Sequence, residues 1–261
     1  MNKISVIIKS IAEAKDIKDM VDAYLIPIED LSINYQKTFT IEEIEEIKKL
    51  KKEVFVFINK NIHNNELEKL EETLKNIEKL NINGIIFYDI SLIELKKELN
   101  LKTDLVWHQE HLTTNYVAAN YYYDKGVKYT YLSSELTKRE IEEIKEKYKG
   151  KTFVNVFGYL PMFTSRRRLV NNYVDTFNLK EKGNRIYKEE KYYYIDDNKK
   201  GTTVYSDYIL NVKEEIKADY IVFNSNMIDE DTFKEILKDY KNNKLEKETG
   251  FLFKETIYKV K

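Results

Sequence analysis

The chain has 261 residues, 42% of them hydrophobic, with 44 basic against 45 acidic side chains and a formal charge of −1. That length suits one large core, and the charge balance argues against a surface drawn as a whole to nucleic acid or anionic membrane, while leaving room for a local basic patch. The absence of cysteine excludes disulfides, thiolate zinc sites, a cysteine nucleophile and a cysteine-held iron–sulfur cluster within the chain.

The opening MNKISVIIKS has a short apolar stretch and no small-residue cleavage site, so it reads as a first strand, and the expected location is cytoplasmic. Strands are predicted at 4–8, 22–28, 53–59, 84–89, 104–108, 127–133, 152–158 and 219–224, each a run dense in Val, Ile, Phe and Tyr. Most do not alternate, as expected for strands buried on both faces. Charged amphipathic stretches at 41–52, 66–80, 137–148 and 229–240 predict helices, with Thr40, Asn65, Thr137 and Asp229 as N-caps. Eight alternating units predict a (β/α)₈ barrel formed by 1–261 as one domain. Residues 179–206, alternating around DDNKKG, predict a β-hairpin inserted between strands seven and eight, and 249–260 a closing or bracing segment. No apolar run approaches the roughly 18 residues of a membrane span, so no membrane partner is expected.

In a barrel of this kind, ligands collect at the C-terminal ends of the strands. Those ends offer Lys9, Glu29, Asn59, Asp89, His108, Glu135 and the segment Gly158 to Arg168. The three histidines, His63, His108 and His111, all follow strands three and five. WHQEH (107–111) puts His108 and His111 three positions apart, with Gln109 and Glu110 between them. Two readings stand: a divalent metal held by His108 and His111 with Glu110 or His63, or hydrogen-bonding loop histidines. Glu135 and Asp89 read either as pocket carboxylates for acid–base work or as supports of helix N-termini. Five arginines stand among 39 lysines, and three of them are consecutive, Arg166 to Arg168. Arginine where lysine would supply charge points to bidentate contact with carboxylate or phosphate, with Arg166, Arg167 and Ser165 as ligand-binding residues beside Asn59 and Gln109. An internal salt-bridge cluster with Asp196 and Asp197 is the alternative. The runs Tyr121 to Tyr123 and Tyr192 to Tyr194 read as packing, since neighbouring side chains diverge on helix or strand.

Taken together, WHQEHLTTNYVAANYY (107–122), LSSELTKREIEEI (132–144), VFGYLPMFTSRRRLVNNY (156–173) and TGFLFKETIYKV (249–260) resemble the U32 peptidase family, the collagenase-like peptidases. The resemblance implies a β/α barrel whose segment after strand seven reads approximately G-x-L-C-x-x-x-S-G-x-C. Gly158, Leu160 and Ser165 keep that pattern, while Pro161 and Arg168 stand at the two cysteines and Arg166 at the glycine. Glu135 matches an Arg-Glu-Leu element, with Ser134 at its arginine. Family members acting as RNA or quinone-pathway hydroxylases are associated with cysteine-ligated iron–sulfur clusters, which this chain has no thiolates to hold. The resemblance therefore implies a short, divergent, barrel-only member. It would bind RNA or a small anion and accompany a cluster-bearing U32 homologue in tRNA hydroxylation. The alternatives are a peptidase using a His108/His111 metal site or carboxylate-activated water, and a non-catalytic paralogue. No recognised catalytic motif decides between them.

Overall fold

The computed structural model describes residues 2–180 and 183–254. In chain order its elements are β1 (Lys3–Ile7), α1 (Ile11–Asp16), β2 (Ala23–Pro27), α2 (Ile41–Lys48), β3 (Glu53–Ile58), α3 (Leu67–Leu80), β4 (Gly84–Phe87), α4 (Ser91–Glu98), β5 (Asp104–Trp107), α5 (Tyr116–Asp124), β6 (Tyr129–Tyr131), α6 (Lys138–Lys147) and β7 (Lys151–Gly158). There follow β8 (Pro161–Ser165), α7 (Leu169–Thr176), β9 (Arg185–Lys188), β10 (Lys191–Asn198), β11 (Gly201–Tyr205), β12 (Leu210–Asn211), β13 (Tyr220–Asn224) and α8 (Glu230–Lys238). Strands β1 to β7 and β13 pair in parallel, and β6–β7, β7–β13 and β13–β1 close the ring into the (β/α)₈ barrel. None of the described helices is long and apolar enough to cross a membrane.

Each barrel strand is buried on both faces, which explains the continuous apolar runs. In β3, Phe55 and Phe57 join the cluster inside the barrel, whereas Val54, Val56 and Ile58 join the layer beneath the helices. Aromatic rings fill the interior. Phe153 stacks on Tyr220 with centroids 4.2 Å apart and planes 9° apart, and Phe55 meets Phe153 edge-on at 5.2 Å. Gly84 makes room for this layer, since a Cβ there would stand 2.9 Å from the Phe55 ring.

Three of the four expected N-caps are present. Thr40 and Thr137 form capping boxes with Glu43 and Glu140, and Asp229 accepts from the Thr232 N–H. Asn65 is not a cap: the chain enters α3 through a 3-10 turn, Asn64–Glu66, and the residue before the helix is Glu66.

The insertion after β7 is larger than a hairpin. β10 and β11 do form the expected antiparallel pair around Asn198–Gly201, but β8 and β9 flank them in a four-stranded sheet ordered β8-β11-β10-β9. Helix α7 packs on β10 and β11 of this sheet, so the helix after strand seven serves the insertion. Gly158 turns the chain out of the barrel at φ +115, where a Cβ would come within 2.5 Å of the Asn224 carbonyl oxygen. Within 249–260, the described part forms turns that brace the barrel: Glu248 bridges Asn211, and Leu252 is buried with its carbonyl accepting from the Lys138 N–H. Residues 255–261 of that expected segment lie outside the described residues.

Replacing Phe153 by alanine removes the central ring of the interior stack. Urea unfolding should show a loss of about 3–5 kcal/mol, as is usual for deleting a buried aromatic ring.

Candidate functional site

The barrel mouth is roofed. Residues 28–38, between β2 and α2, fold over it, and the inserted sheet lies against them. Asn34 joins the pieces from a left-handed backbone conformation, φ +68. Its Nδ2 donates to Glu110 Oε1 at 3.1 Å, and its Oδ1 accepts from the Thr164 and Thr203 hydroxyls at 2.8 and 2.9 Å. The Asn34 carbonyl accepts from the Tyr205 hydroxyl at 2.8 Å. A left-handed asparagine is tolerated more readily than most residues, and here every side-chain polar atom has a partner.

Beneath this roof a cavity of only about 60 Å³ remains, lined by Tyr35, His108, Glu110, His111, Tyr131 and Asn155 among others. His108 stacks on Tyr131, with centroids 4.3 Å apart, and its Nδ1 faces the Tyr131 carbonyl at 3.3 Å. Burial pushes the imidazole down to about 4, with the positive charge of His111 acting in the same direction. The Tyr131 hydroxyl donates to Asn155 Oδ1 at 2.6 Å, and Asn155 Nδ2 donates in turn to Ser134 Oγ. Glu110 takes a left-handed φ of +44, and burial raises its carboxyl against the opposing pull of His111 and the Asn34 hydrogen bond. His111 pairs with Glu135 at 3.0 Å on the exposed rim.

A crevice of about 350 Å³ opens beside the mouth, between the β3, β4 and β5 loops and strand β8. Asn59, Tyr88, Glu110, His111, Met162, Phe163 and Arg166 line it. Met162 and Phe163 are about half exposed, at 51% each. Arg166 reaches Glu66 with both terminal nitrogens, at 3.2 and 3.4 Å, and the Asn61 carbonyl at 3.3 Å.

The structure thus gathers His108, His111, Glu110, Asn59 and Arg166 around two adjoining spaces. Other sequence candidates are placed as supports. Asp89 accepts from the Ile62 and Ser91 N–H groups, and Gln109 links the Trp107 indole N–H to the Tyr88 carbonyl. Ser165 Oγ accepts from the Arg167 N–H, and the Arg167 carbonyl accepts from Thr202. Asn59 itself is spanned by two hydrogen bonds to the Ile33 backbone, which hold the 28–38 loop. Arg166 pairs with Glu66, while Asp197 binds Thr202 and the Asn171 N–H and Asp196 accepts from Asn198. Among the described residues, no group of three or more His, Asp or Glu side chains is placed to hold a metal ion.

Sequence reasoning missed Asn34, Tyr88, Met162 and Phe163, and a third space of about 410 Å³ lined by Lys60, Glu66, Lys69, Lys199 and Lys200. The only signal for Asn34 is a polar residue before a tyrosine in an aperiodic loop. The lysines vanish in a lysine-rich background.

The closed ring with its roofed mouth defines a (β/α)₈-barrel protein whose accessible cavities lie at the rim, against an inserted sheet. The family model for peptidase family U32 matches residues 12–241, and the chain belongs to that family. Among curated relatives, tRNA hydroxylation protein P2 of Bacillus subtilis is 31% identical over 122 residues, which are 47% of this chain and 40% of that protein. tRNA hydroxylation protein P1 of the same organism is 28% identical over 140 residues, 52% of this chain and 33% of the other. The matched stretches therefore span well under half of those relatives. A solved U32 peptidase structure superposes with a TM-score of 0.57 at 13% identity, covering 86% of this chain and 92% of that one, which agrees in fold.

The depressed His108 yields a pH test. The unfolded imidazole, with an ordinary value of 6.5, takes up its proton before the folded one at about 4. Stability tied to His108 is therefore complete above pH 6.5 and falls toward pH 4, by on the order of 3 kcal/mol. Imidazole NMR should show His108 neutral at pH 5.5, and His108→Gln should flatten the loss of stability between pH 6.5 and 4. A His108 midpoint near 6.5 would contradict the placement.

Proposed function

We propose that this chain is an RNA-binding U32 protein that accompanies a cluster-bearing homologue in tRNA hydroxylation, holding a nucleotide in the rim crevice without carrying out the oxidation. One observation carries the reading: a crevice of about 350 Å³ sets the half-exposed Phe163 and Met162 and the ring of Tyr88 beside the guanidinium of Arg166. Single-stranded nucleic acid is bound by this pairing, with aromatic faces for bases and cations for the backbone. Asn59, Glu110 and His111 line the same space and supply polar atoms to a base edge. The names of the two Bacillus relatives support tRNA as the target.

The iron–sulfur cluster associated with the family does not fit the donor set. Pro161, at one cysteine position, opens β8 opposite Tyr205, and Arg168, at the other, precedes α7. Neither can ligate iron as thiolate does. The oxidant in this reading therefore sits on the homologous partner.

A second reading, peptide or ester hydrolysis, rests on Glu110. Its carboxyl is raised by burial and lines both the mouth and the crevice, as a general acid or base would. It requires that Glu110→Gln abolish cleavage of a peptide library.

Binding to tRNA transcripts, followed by fluorescence anisotropy, tests the leading reading. Phe163→Ala should weaken binding by about 1–3 kcal/mol, the usual worth of one base–aromatic stack. Arg166→Ala should weaken it at least as much, with thermal melting unchanged in both. Wild-type affinity in both variants, or no affinity in the wild type, would remove this reading.

A further inference from the structure

We infer that the third space, the cationic cavity on the far side of Arg166, is a phosphate site that holds the RNA backbone next to the nucleotide seated in the crevice. The inference rests on the crevice being a nucleotide site. It adds a second, chemically distinct subsite with its own residues.

The cavity holds about 410 Å³ between the 28–38 loop, the loop before α3, the end of β8 and the β10–β11 turn. Five cations line it, Lys60, Lys69, Arg166, Lys199 and Lys200, against two carboxylates, Asp30 and Glu66. The local surplus of three positive charges stands out in a chain whose total is −1. The carboxylates are already committed. Glu66 accepts from Lys60 Nζ at 2.7 Å, from the His63 N–H at 3.0 Å and from Arg166. Although burial works against it, these partners hold Glu66 down to about 2. Asp30 pairs with Lys69.

Two lysines remain for a ligand. Lys200 donates to the Thr38 hydroxyl at 2.8 Å and meets no carboxylate at ion-pair distance among the described residues. Burial and the adjacent charge of Lys199 lower its affinity for the proton, against the pull of Glu29, Asp30 and Asp196. Lys199 is exposed and makes no hydrogen bond or ion pair with a described residue. The turn holding them is fixed in place. Gly201, at φ +132, lies so close to the Ser165 carbonyl that a Cβ would stand 2.1 Å from it, and the Lys200 N–H donates to Asn198 Oδ1. Two ammonium groups without a direct ion pair among the described residues, on a rigid turn in a cavity lined by five cations against two paired carboxylates, make a site for an anion of more than one charge or for a chain of anions.

Continuity with the crevice selects the chain. Ile33 and Arg166 line both spaces, so the guanidinium is the shared wall between the aromatic side and the lysine side. A nucleotide with its base against Phe163 places its phosphate toward Arg166, and the neighbouring phosphate then meets Lys199 and Lys200. A free phosphomonoester would satisfy the cavity alone but would not engage the crevice.

The test uses the whole chain, a fluorescein-labelled single-stranded RNA decamer and inorganic phosphate at constant ionic strength. Lys199→Gln combined with Lys200→Gln should weaken RNA binding roughly ten- to thirtyfold near 0.1 M KCl. It should also make the log–log salt slope shallower by about 1.4, at about 0.7 per cation. Inorganic phosphate should displace RNA from the wild type and not from the double variant. Lys102→Gln, at the opposite end of the barrel before β5, should change neither quantity. Equal losses from Lys102→Gln and the double variant, or an unchanged slope in the double variant, overturn the inference. If Phe163→Ala weakens binding and the lysine variant does not, the crevice stands and the phosphate site falls. If phosphate binds in a lysine-dependent way and RNA does not compete with it, the cavity is a free-anion site and the backbone assignment is overturned.

Discussion

Filling the barrel axis with aromatic rings is the constraint from which the rest of this molecule follows. Parallel strands in a closed ring must bury both faces, and the interior has to reach crystal-like density. Here Phe55, Phe153 and Tyr220 do this at one level and Phe57, Tyr131 and Tyr35 at the next. His108 completes the upper level by stacking on Tyr131, and the same desolvation keeps it neutral. The space left beneath the roof, about 60 Å³, suits a water or two and falls far short of the 300–1,000 Å³ of ordinary ligand pockets. A substrate-sized group therefore has to bind at the rim.

The rim is built by the inserted sheet, and Asn34 sets where that sheet lies. Four polar partners, on the loop after β5, on β8 and on β11, converge on one residue, so the 28–38 loop and the insertion are fixed relative to each other. Removing that side chain would leave Thr164, Thr203 and Glu110 each short of a partner, which costs more than the bonds themselves contribute. The position of Phe163 and Arg166 against the β3 and β5 loops depends on this junction. Gly158 contributes from below, because no side chain fits where β7 passes Asn224.

Elements held together by local pattern were legible in the sequence. All eight barrel strands lie within one or two residues of the apolar runs that announced them, and Thr40, Thr137 and Asp229 cap as their spacing implied. Strand β8 was not legible, since Thr164 pairs with Thr203 across 39 residues and PMFTS looks like a strand-end loop until its partner is known. Asn65 failed as a cap because it lies inside the 3-10 turn Asn64–Glu66, where Glu66 accepts from the His63 N–H. The arginine run was informative only in part. Arg166 does make the bidentate contact that its choice over lysine suggested, but to Glu66 of the same chain, while Arg167 uses its backbone.

The Glu66 contact is better understood as assembly than as neutralisation. A carboxylate held between Lys60 and Arg166 takes one negative charge to position two cations, and positions them where they would otherwise repel. The Arg166–Glu66 contact, with the arginine 41% exposed, contributes little to stability, so its value lies in geometry. The same reasoning explains how a chain with nearly equal acids and bases presents a strongly cationic cavity. With screening over about 8 Å at physiological salt, an approaching anion feels the side chains within reach of the cavity and little of the remaining surface. Thirty-nine lysines in one sequence carry no message individually. The fold gives meaning to Lys199 and Lys200 by holding them on a turn that Gly201 presses against Ser165, in a cavity lined by five cations and two carboxylates, both carboxylates already paired.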